Sequence, residues 1–213
     1  TFIRDLEIPI IGINTGRLGF LANIQKDSIR SSFEQILKGQ FVVQKRSLLQ
    51  VRAEGGVNDF GNVNFAINEI TITRKNTASM ISVDTILDNE FLTTYWSDGL
   101  IISTPTGSTG YSLSCGGPII SPSSKNIILT PIAPHSLAVR PLVIPDQTEI
   151  ELQIDSRADE VLLTLDSRMY TLNNKSKVFI KKCPFQIMTL QLKDQTFIKT
   201  LRVKLLWGED KRN

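Results

Sequence analysis

The sequence predicts an α/β plus all-β protein: a remnant of an α/β domain over residues 1–40, a β-rich domain over 41–195, and a C-terminal helix or tail over 196–213. Three observations carry that reading. An apolar run ends in a glycine-punctuated turn and is followed by helical spacing. From residue 41 onward, short β-branched or alternating segments recur between turn clusters, the pattern of a sandwich. The 213 residues, 41% hydrophobic and 21% charged, are enough for one large or two modest cores.

Taken in order, Pro9-Ile10-Ile11-Gly12-Ile13-Asn14 reads as a buried strand, closed by the turn Thr15-Gly16-Arg17-Leu18-Gly19. A helix comes next, with Asp27 or Ser28 as N-cap. Its apolar face is Ile29, Phe33, Ile36 and Leu37, and Gly39 stands at the C-terminal cap. Strands are expected at 41–43, 48–51, 65–73, 82–87, 149–154, 161–165, 178–180 and 187–192, with turns at Glu54-Gly55-Gly56 and Asn173-Asn174. Residues 196–207 fit a last strand or a helix. Phe197, Leu201 and Leu205 at i, i+4, i+8 and a stop at Gly208 favour helix, expected to return to the α/β part. There is no internal repeat.

Composition excludes several classes. Against 21 acidic residues stand 24 basic ones, a formal net charge of +3 without a basic cluster, so no nucleic-acid partner is expected. The apolar runs, such as 8–13 and 100–102, are strand-length and far below the ~20 residues of a membrane helix. Residues 1–5 lack the features of a signal peptide, and Cys115 and Cys183 fit a reducing compartment, so a soluble, cytoplasmic protein is expected. His135 is the one histidine, and with no cysteine pair at ligand spacing no metal site of the chain's own is expected.

The chemistry concentrates in Asp98-Gly-Leu-Ile-Ile-Ser-Thr-Pro-Thr-Gly-Ser-Thr-Gly-Tyr-Ser-Leu-Ser-Cys-Gly-Gly-Pro118. An apolar strand runs into glycines and hydroxyls, with a short helix expected from Ser108 or Thr109. Unpaired backbone N–H groups at such a start suit a phosphate or a ribose hydroxyl, and small residues admit close approach. The alternative is a tight strand-to-helix connection with Thr109 as N-cap. Neither Gly-x-x-x-x-Gly-Lys-Ser/Thr nor Gly-x-Gly-x-x-Gly after a strand is present. A hydrolase triad of Ser108, His135 and Asp98 is disfavoured, because Gly107-Ser108-Thr109-Gly110 lacks the residue that Gly-x-Ser-x-Gly needs before its serine.

The stretch from Asp98 to Ser112 resembles the signature of NAD kinases, which usually carries alanine where Gly110 stands. Gly12-Ile13-Asn14-Thr15-Gly16-Arg17-Leu18-Gly19-Phe20-Leu21 resembles the family's Gly-x-Asn-x-Gly-x-x-Gly-Phe-Leu turn. Asn68-Glu69 resembles its Asn-Glu motif. Pro131-Ile132-Ala133-Pro134-His135 with Arg140-Pro141-Leu142-Val143 resembles its Pro-His and Arg-Pro-Leu block, and Asp166-Ser167-Arg168 extends the pattern. The resemblance implies a Rossmann-like N-terminal part, a β-sandwich-like NAD-kinase C-terminal domain, and phosphoryl transfer from ATP or polyphosphate to the 2′-hydroxyl of the adenosine ribose of NAD.

It further implies roles. Asn68 and Glu69 would bond the ribose hydroxyls, each of which donates and accepts; Asp98 would face the nicotinamide carboxamide. Thr106, Thr109, Gly110, Tyr111, Ser112 and Ser114 would line the adenosine and phosphate side, and Ala133 would reach a neighbouring subunit's ligand in a homodimer or homotetramer. Arg4 and Arg168 fall where the family contacts nucleotide, Ser79 matches by spacing, Phe20 would cap the pocket or pack in the core, and His135 is read as architectural. Mg²⁺ or another divalent cation would accompany ATP. The family's Gly-Gly-Asp-Gly supplies the carboxylate base and is normally succeeded by Thr and an apolar pair, as in Thr1-Phe2-Ile3. The base is therefore expected before Thr1, and these residues alone are expected to bind dinucleotide weakly without turnover. The alternatives are a non-catalytic NAD-binding module and a related lipid or sphingoid-base kinase.

Overall fold

The computed structural model describes residues 2–16, 19–22, 24–55, 60–75 and 79–206. They form two compact units, Ser47–Phe185 and a second made of Phe2–Arg46 with the segment from Gln186 onward.

The larger unit is a sandwich of two six-stranded antiparallel sheets. In chain order its strands are β4 (Leu49–Glu54), β5 (Phe65–Ala66), β6 (Glu69–Arg74), β7 (Ile81–Leu87), β8 (Glu90–Ser97), β9 (Gly99–Ser103), β10 (Asn126–Ile132), β11 (Leu142–Pro145), β12 (Ile150–Asp155), β13 (Glu160–Leu165), β14 (Arg168–Asn173) and β15 (Lys177–Lys182). One sheet runs β11-β10-β9-β6-β13-β14, the other β5-β4-β15-β12-β7-β8. Alternation along each strand sends every second side chain inward. Ile70, Ile72, Leu100, Ile102, Leu129 and Leu163 of the first sheet thereby join Leu49, Val51, Val83, Leu152, Val178 and Ile180 of the second in one buried cluster. Each such side chain contributes ~1.5–3 kcal/mol as an upper bound.

The segment 65–73, expected as one strand, is two. β5 pairs with β4 in one sheet, whereas β6 pairs with β9 and β13 in the other. The chain crosses between sheets at Ile67-Asn68, where the backbone leaves both ladders. β8, β10, β11 and β14 are strands beyond those that alternation and β-branching predict.

In the smaller unit, β1 (Ile13–Asn14) pairs in parallel with β2 (Ile24–Gln25), and β3 (Phe41–Arg46) pairs antiparallel with β16 (Ile187–Leu192). Residues 9–14 are therefore not one buried strand: Ile10 makes an isolated bridge to Thr189, and Ile13 is 37% exposed. A parallel strand is buried on both faces only with neighbours on both sides; among the described residues this one has a single two-residue partner. Arg17 and Leu18 of the turn lie outside the described residues.

Helix α1 (Ile29–Leu37) begins after a 3₁₀ turn over 26–28, with Ser28 at its N-cap position. It closes in a Schellman motif: Gly39 (φ +68°) donates to Ile36 O at 2.9 Å and Gln40 to Gln35 O at 2.9 Å. Phe33 and Leu37 of its apolar stripe are exposed. Helix α3 (Phe197–Leu205) is capped by the Thr196 hydroxyl, which accepts from Lys199 N at 3.2 Å; Trp207 and Gly208 lie outside the described residues.

The compact units divide at 46/47 and 185/186, because β3 takes β16 as its partner and not a strand of the sandwich.

Candidate functional site

The crossing at Ile67-Asn68 anchors the site. Three backbone N–H groups that no strand satisfies converge on Asp166, in the β13–β14 turn. Ile67 N donates to Oδ2 at 3.0 Å, and Asn68 N and Glu69 N donate to Oδ1 at 2.7 and 3.3 Å. Asp166 N returns a bond to Glu69 O at 3.0 Å. Arg168 donates to the carbonyls of Val63 and Phe65 and lies 3.9 Å from Asp166, so its guanidinium holds the approach to the same corner.

The glycine- and hydroxyl-rich loop folds onto this corner. Thr104 N donates to Asn68 O at 2.9 Å and Thr104 Oγ1 to Ile67 O at 2.6 Å. Gly107 lies so close that a Cβ would stand 2.1 Å from Asn68 O. A 3₁₀ turn over Gly107–Thr109 then leads into the short helix α2 (Tyr111–Ser114). Thr109 is not the cap of that helix: Gly110 occupies the N-cap position, and Thr109 Oγ1 donates to Thr106 O at 3.3 Å. Ser112 pins α2 to the sheet, its hydroxyl 2.8 Å from Thr130 Oγ1 on β10. Hence Ile101, Ser103, Ile128 and Thr130, on the face of the sheet away from the core, are also fully buried.

Glu69 is the chemically distinctive group. Burial, then the negative charge of Asp166, push its carboxyl up to about 7 against an opposing bond from the Tyr111 backbone N–H. Its Oε2 is buried without a hydrogen-bond partner, as are Thr71 Oγ1, Ser103 Oγ and Thr106 Oγ1. Ser103 is the register partner of Glu69, and Thr71 stands two residues along β6 on the same face. A carboxyl half-protonated near neutrality both donates and accepts, which suits a vicinal diol.

Asp98, between β8 and β9, forms an ion pair with Arg74 at 2.9 Å and adds to the upward push on the Tyr111 phenol, after burial and Cys115. Tyr111 is 44% exposed beside Glu69. Asn68, Glu69, Gly110 and Tyr111 thus meet at one corner, with Asp98 in electrostatic reach of Tyr111. Ser112 is buried behind it, Ser114 is exposed, and Ala133 adopts φ +43° in the exposed turn after β10. Ser79 is half-buried next to the undescribed 76–78. Arg4 and Phe20 belong to the other unit, where Lys204 stands 5.3 Å over the Phe20 ring. Ser108 is fully buried, donating to Pro105 O at 2.7 Å and accepting from Ile120 N at 3.1 Å, so it is not a nucleophile. Sequence reasoning assigned no role to Asp166; its one signal was its place in Asp166-Ser167-Arg168, which extends the family pattern.

An open hollow of about 760 Å³ lies elsewhere, on the second sheet, lined by Arg52, Phe179, Lys181, Glu149 and Glu151 among others. It includes no residue of the corner. Its charges are mutually satisfied: Arg52 stacks 4.0 Å over Phe179, Lys181 pairs with Glu149 at 3.7 Å, and Glu151 pairs with Lys177 at 3.3 Å. The corner, with unpartnered polar atoms, is the stronger candidate.

Residues 67–192 match the ATP-NAD kinase C-terminal domain and residues 1–41 the ATP-NAD kinase N-terminal domain. The chain is 52% identical over its whole length to an NAD kinase of Flavobacterium psychrophilum, covering 72% of that protein, and 46% identical to one of Cytophaga hutchinsonii with the same coverage. Among solved structures it is similar to yeast NADH kinase complexed with NADH, with a TM-score of 0.86, 28% identity, 97% of this chain and 61% of that one covered. It is also similar to an Archaeoglobus fulgidus NAD kinase in complex with ATP, with a TM-score of 0.77, 26% identity, and 93% and 74% covered. Sandwich, loop and relatives define a phosphotransferase of the nucleotide-directed class. The chain belongs to the NAD kinase family.

Proposed function

We propose that the corner of Asn68 and Glu69 grips the adenosine ribose of NAD while the protein transfers a phosphoryl group from ATP or polyphosphate to its 2′-hydroxyl. The observation that supports this most is the Glu69 carboxyl, raised to about 7 and carrying an unpartnered buried oxygen beside Asn68. An amide and a half-protonated carboxyl together offer the donors and acceptors that two adjacent hydroxyls require. Gly110 and Tyr111 border the same space, with Thr106, Thr109, Ser112 and Ser114 forming or backing the loop that lines its adenosine and phosphate side. Asp98, fixed by Arg74, is assigned to the nicotinamide carboxamide. Ala133 is assigned to a neighbouring subunit's ligand in a homodimer or homotetramer, and Arg4, Phe20, Ser79 and Arg168 to secondary contacts; for Arg168 the bonds to Val63 and Phe65 favour a supporting role.

Among the described residues no group of three or more His, Cys, Asp or Glu stands where it could hold a metal ion, so the divalent cation is assigned to the donor's phosphates. The 213 residues contain no Gly-Gly-Asp-Gly, and no residue here is assigned as base. No described helix is long and apolar enough to cross a membrane; a cytoplasmic setting rests on two free cysteines.

The test is NADP formation from NAD, ATP and Mg²⁺, with and without an N-terminal extension bearing the family's Gly-Gly-Asp-Gly segment, alongside calorimetry with NAD. Turnover supports the kinase. Binding without turnover in either form supports the NAD-binding module, and neither would sink the ribose reading. Asn68→Ala with Glu69→Ala should weaken NAD binding by about tenfold or more, from the loss of charge-assisted bonds, while leaving thermal stability nearly unchanged; equal losses in both would make the pair structural.

A further inference from the structure

We infer that Asp166 is a positioning residue, whose carboxylate fixes the inter-sheet crossing so that Asn68 and Glu69 are presented together to the ribose hydroxyls. The inference rests on the reading of the corner as the ribose site.

The crossing is the place where the chain gives up two ladders, and three successive N–H groups, those of Ile67, Asn68 and Glu69, need acceptors. One carboxylate supplies them all, with the shortest bond, 2.7 Å, to Asn68 itself. The reciprocal bond from Asp166 N to Glu69 O, at 3.0 Å, fixes the far side of the motif. Asp166 holds φ +52° to make this turn, a conformation that non-glycine residues rarely adopt. The β13–β6 register ends at Leu165 opposite Ile70, so the turn is delivered against the corner by the ladder itself. Arg168 then ties the β14 side of that turn to Val63 and Phe65, the residues that lead into the crossing.

The charge of Asp166 has a second effect. Facing Glu69 from the β13–β14 turn are Asp166 and, 3.9 Å from Asp166, Arg168. From α2 comes Tyr111, with Cys115 and Asp98 around its phenol and Arg74 paired to Asp98. Of these, Asp166 raises Glu69 by repulsion. Removing that charge while keeping the shape lowers the pH at which Glu69 gives up its proton.

The experiment measures KM for NAD, KM for ATP and kcat across pH 5.5–8.5 in the full-length protein, for the wild type, Asp166→Asn, Asp166→Glu and Glu69→Gln. Asp166→Asn is expected to raise KM for NAD about tenfold, the scale of a lost charge-assisted bond. KM for ATP should move less than about twofold, and the pH inflection in KM for NAD should shift to lower pH. Should Asp166→Asn not fold, Asp166→Glu, which keeps the charge and misplaces the acceptors, is expected to raise KM for NAD with the inflection near its wild-type position. An unchanged KM for NAD in the folded variant, or equal rises in both KM values, overturns the positioning role. If Glu69→Gln raises KM for NAD and the Asp166 variants do not, only this inference falls. If Glu69→Gln leaves it unchanged, the ribose reading falls and the inference with it.

Discussion

The two sheets of the sandwich are alike on their inner faces and opposite on their outer ones. Inward, both present fully buried Ile, Leu and Val. Outward, the second sheet shows charges that pair with each other in the open, Arg52 with Glu54 and Lys181 with Glu149. The first sheet instead buries Glu69, Thr71 and Ser103 oxygens without partners beneath a glycine-rich loop. Exposed pairs cost little and do little, whereas orphaned buried oxygens are retained against a penalty of ~1–3 kcal/mol each. Among the described residues of the sandwich, the side-chain oxygens buried without a partner are those of Glu69, Thr71, Ser103 and Thr106, all on the first sheet or its loop, and it is there that we propose a ligand supplies the missing bonds.

The sharpest way to break this contrast is Gly107→Ala. The added Cβ would stand 2.1 Å from Asn68 O and 2.5 Å from its carbonyl carbon, backbone atoms that cannot swing away. The loop must lift from the corner. A stability loss of about 3 kcal/mol is expected from overpacking, with NAD turnover falling by about a hundredfold, since a displacement near 1 Å suffices for that. Wild-type KM for NAD in a folded Gly107→Ala protein would show that loop and corner do not act together.

The second contrast is electrostatic. Because the folded Glu69 holds its proton up to about 7, against ~4.3 in the unfolded chain, the folded state binds more protons between those values. Its contribution to stability is therefore complete below the unfolded value and is lost as pH rises through the folded one. Urea midpoints should fall between about pH 4.5 and 7.5, and Glu69→Gln should flatten that slope while Glu149→Gln, in the exposed pair, leaves it alone. Identical slopes in the wild type and Glu69→Gln would remove the electrostatic argument for the corner.

Much of this was legible in the sequence. The strand into the Gly/Ser/Thr loop and most sandwich strands announce themselves through alternation and small residues, whereas the Asn-Glu pair is singled out only by the family resemblance. The crossing did not, because Phe65, Ile70 and Ile72 keep an apolar rhythm on both sides of Ile67-Asn68 and nothing local says that the two halves pair in different sheets. The role of Asp166 was hidden for the same reason: the residue shows as part of Asp166-Ser167-Arg168, but a carboxylate that serves three N–H groups about a hundred residues away leaves no local pattern of that task. β3 reads as a sandwich strand because a strand's composition does not name its partner; only pairing with β16 moves it to the other unit.

A smaller effect is expected at Gly110, where the family usually carries alanine. A Cβ there would lie 3.0 Å from Glu69 Oε2 and 3.2 Å from Gly107 O. The first is the end of a side chain and gives by a few tenths of an ångström. Gly110→Ala should therefore fold, with stability within about 1 kcal/mol of wild type and KM for NAD shifted by no more than a few-fold. Loss of folding would mean that the carboxyl has no room to move.

The smallest effect tests the other sheet. Lys181 is 59% exposed and 3.7 Å from Glu149, an open pair worth ~0–1 kcal/mol. Lys181→Ala also borders the hollow on that sheet, whose charges already have partners. Thermal unfolding should move by about 1 kcal/mol or less, and KM values for NAD and ATP should stay at wild type. A severalfold rise in either KM would bring the second sheet into substrate binding and end the division of labour between the two faces, because no other route connects an exposed lysine there to a corner on the opposite sheet.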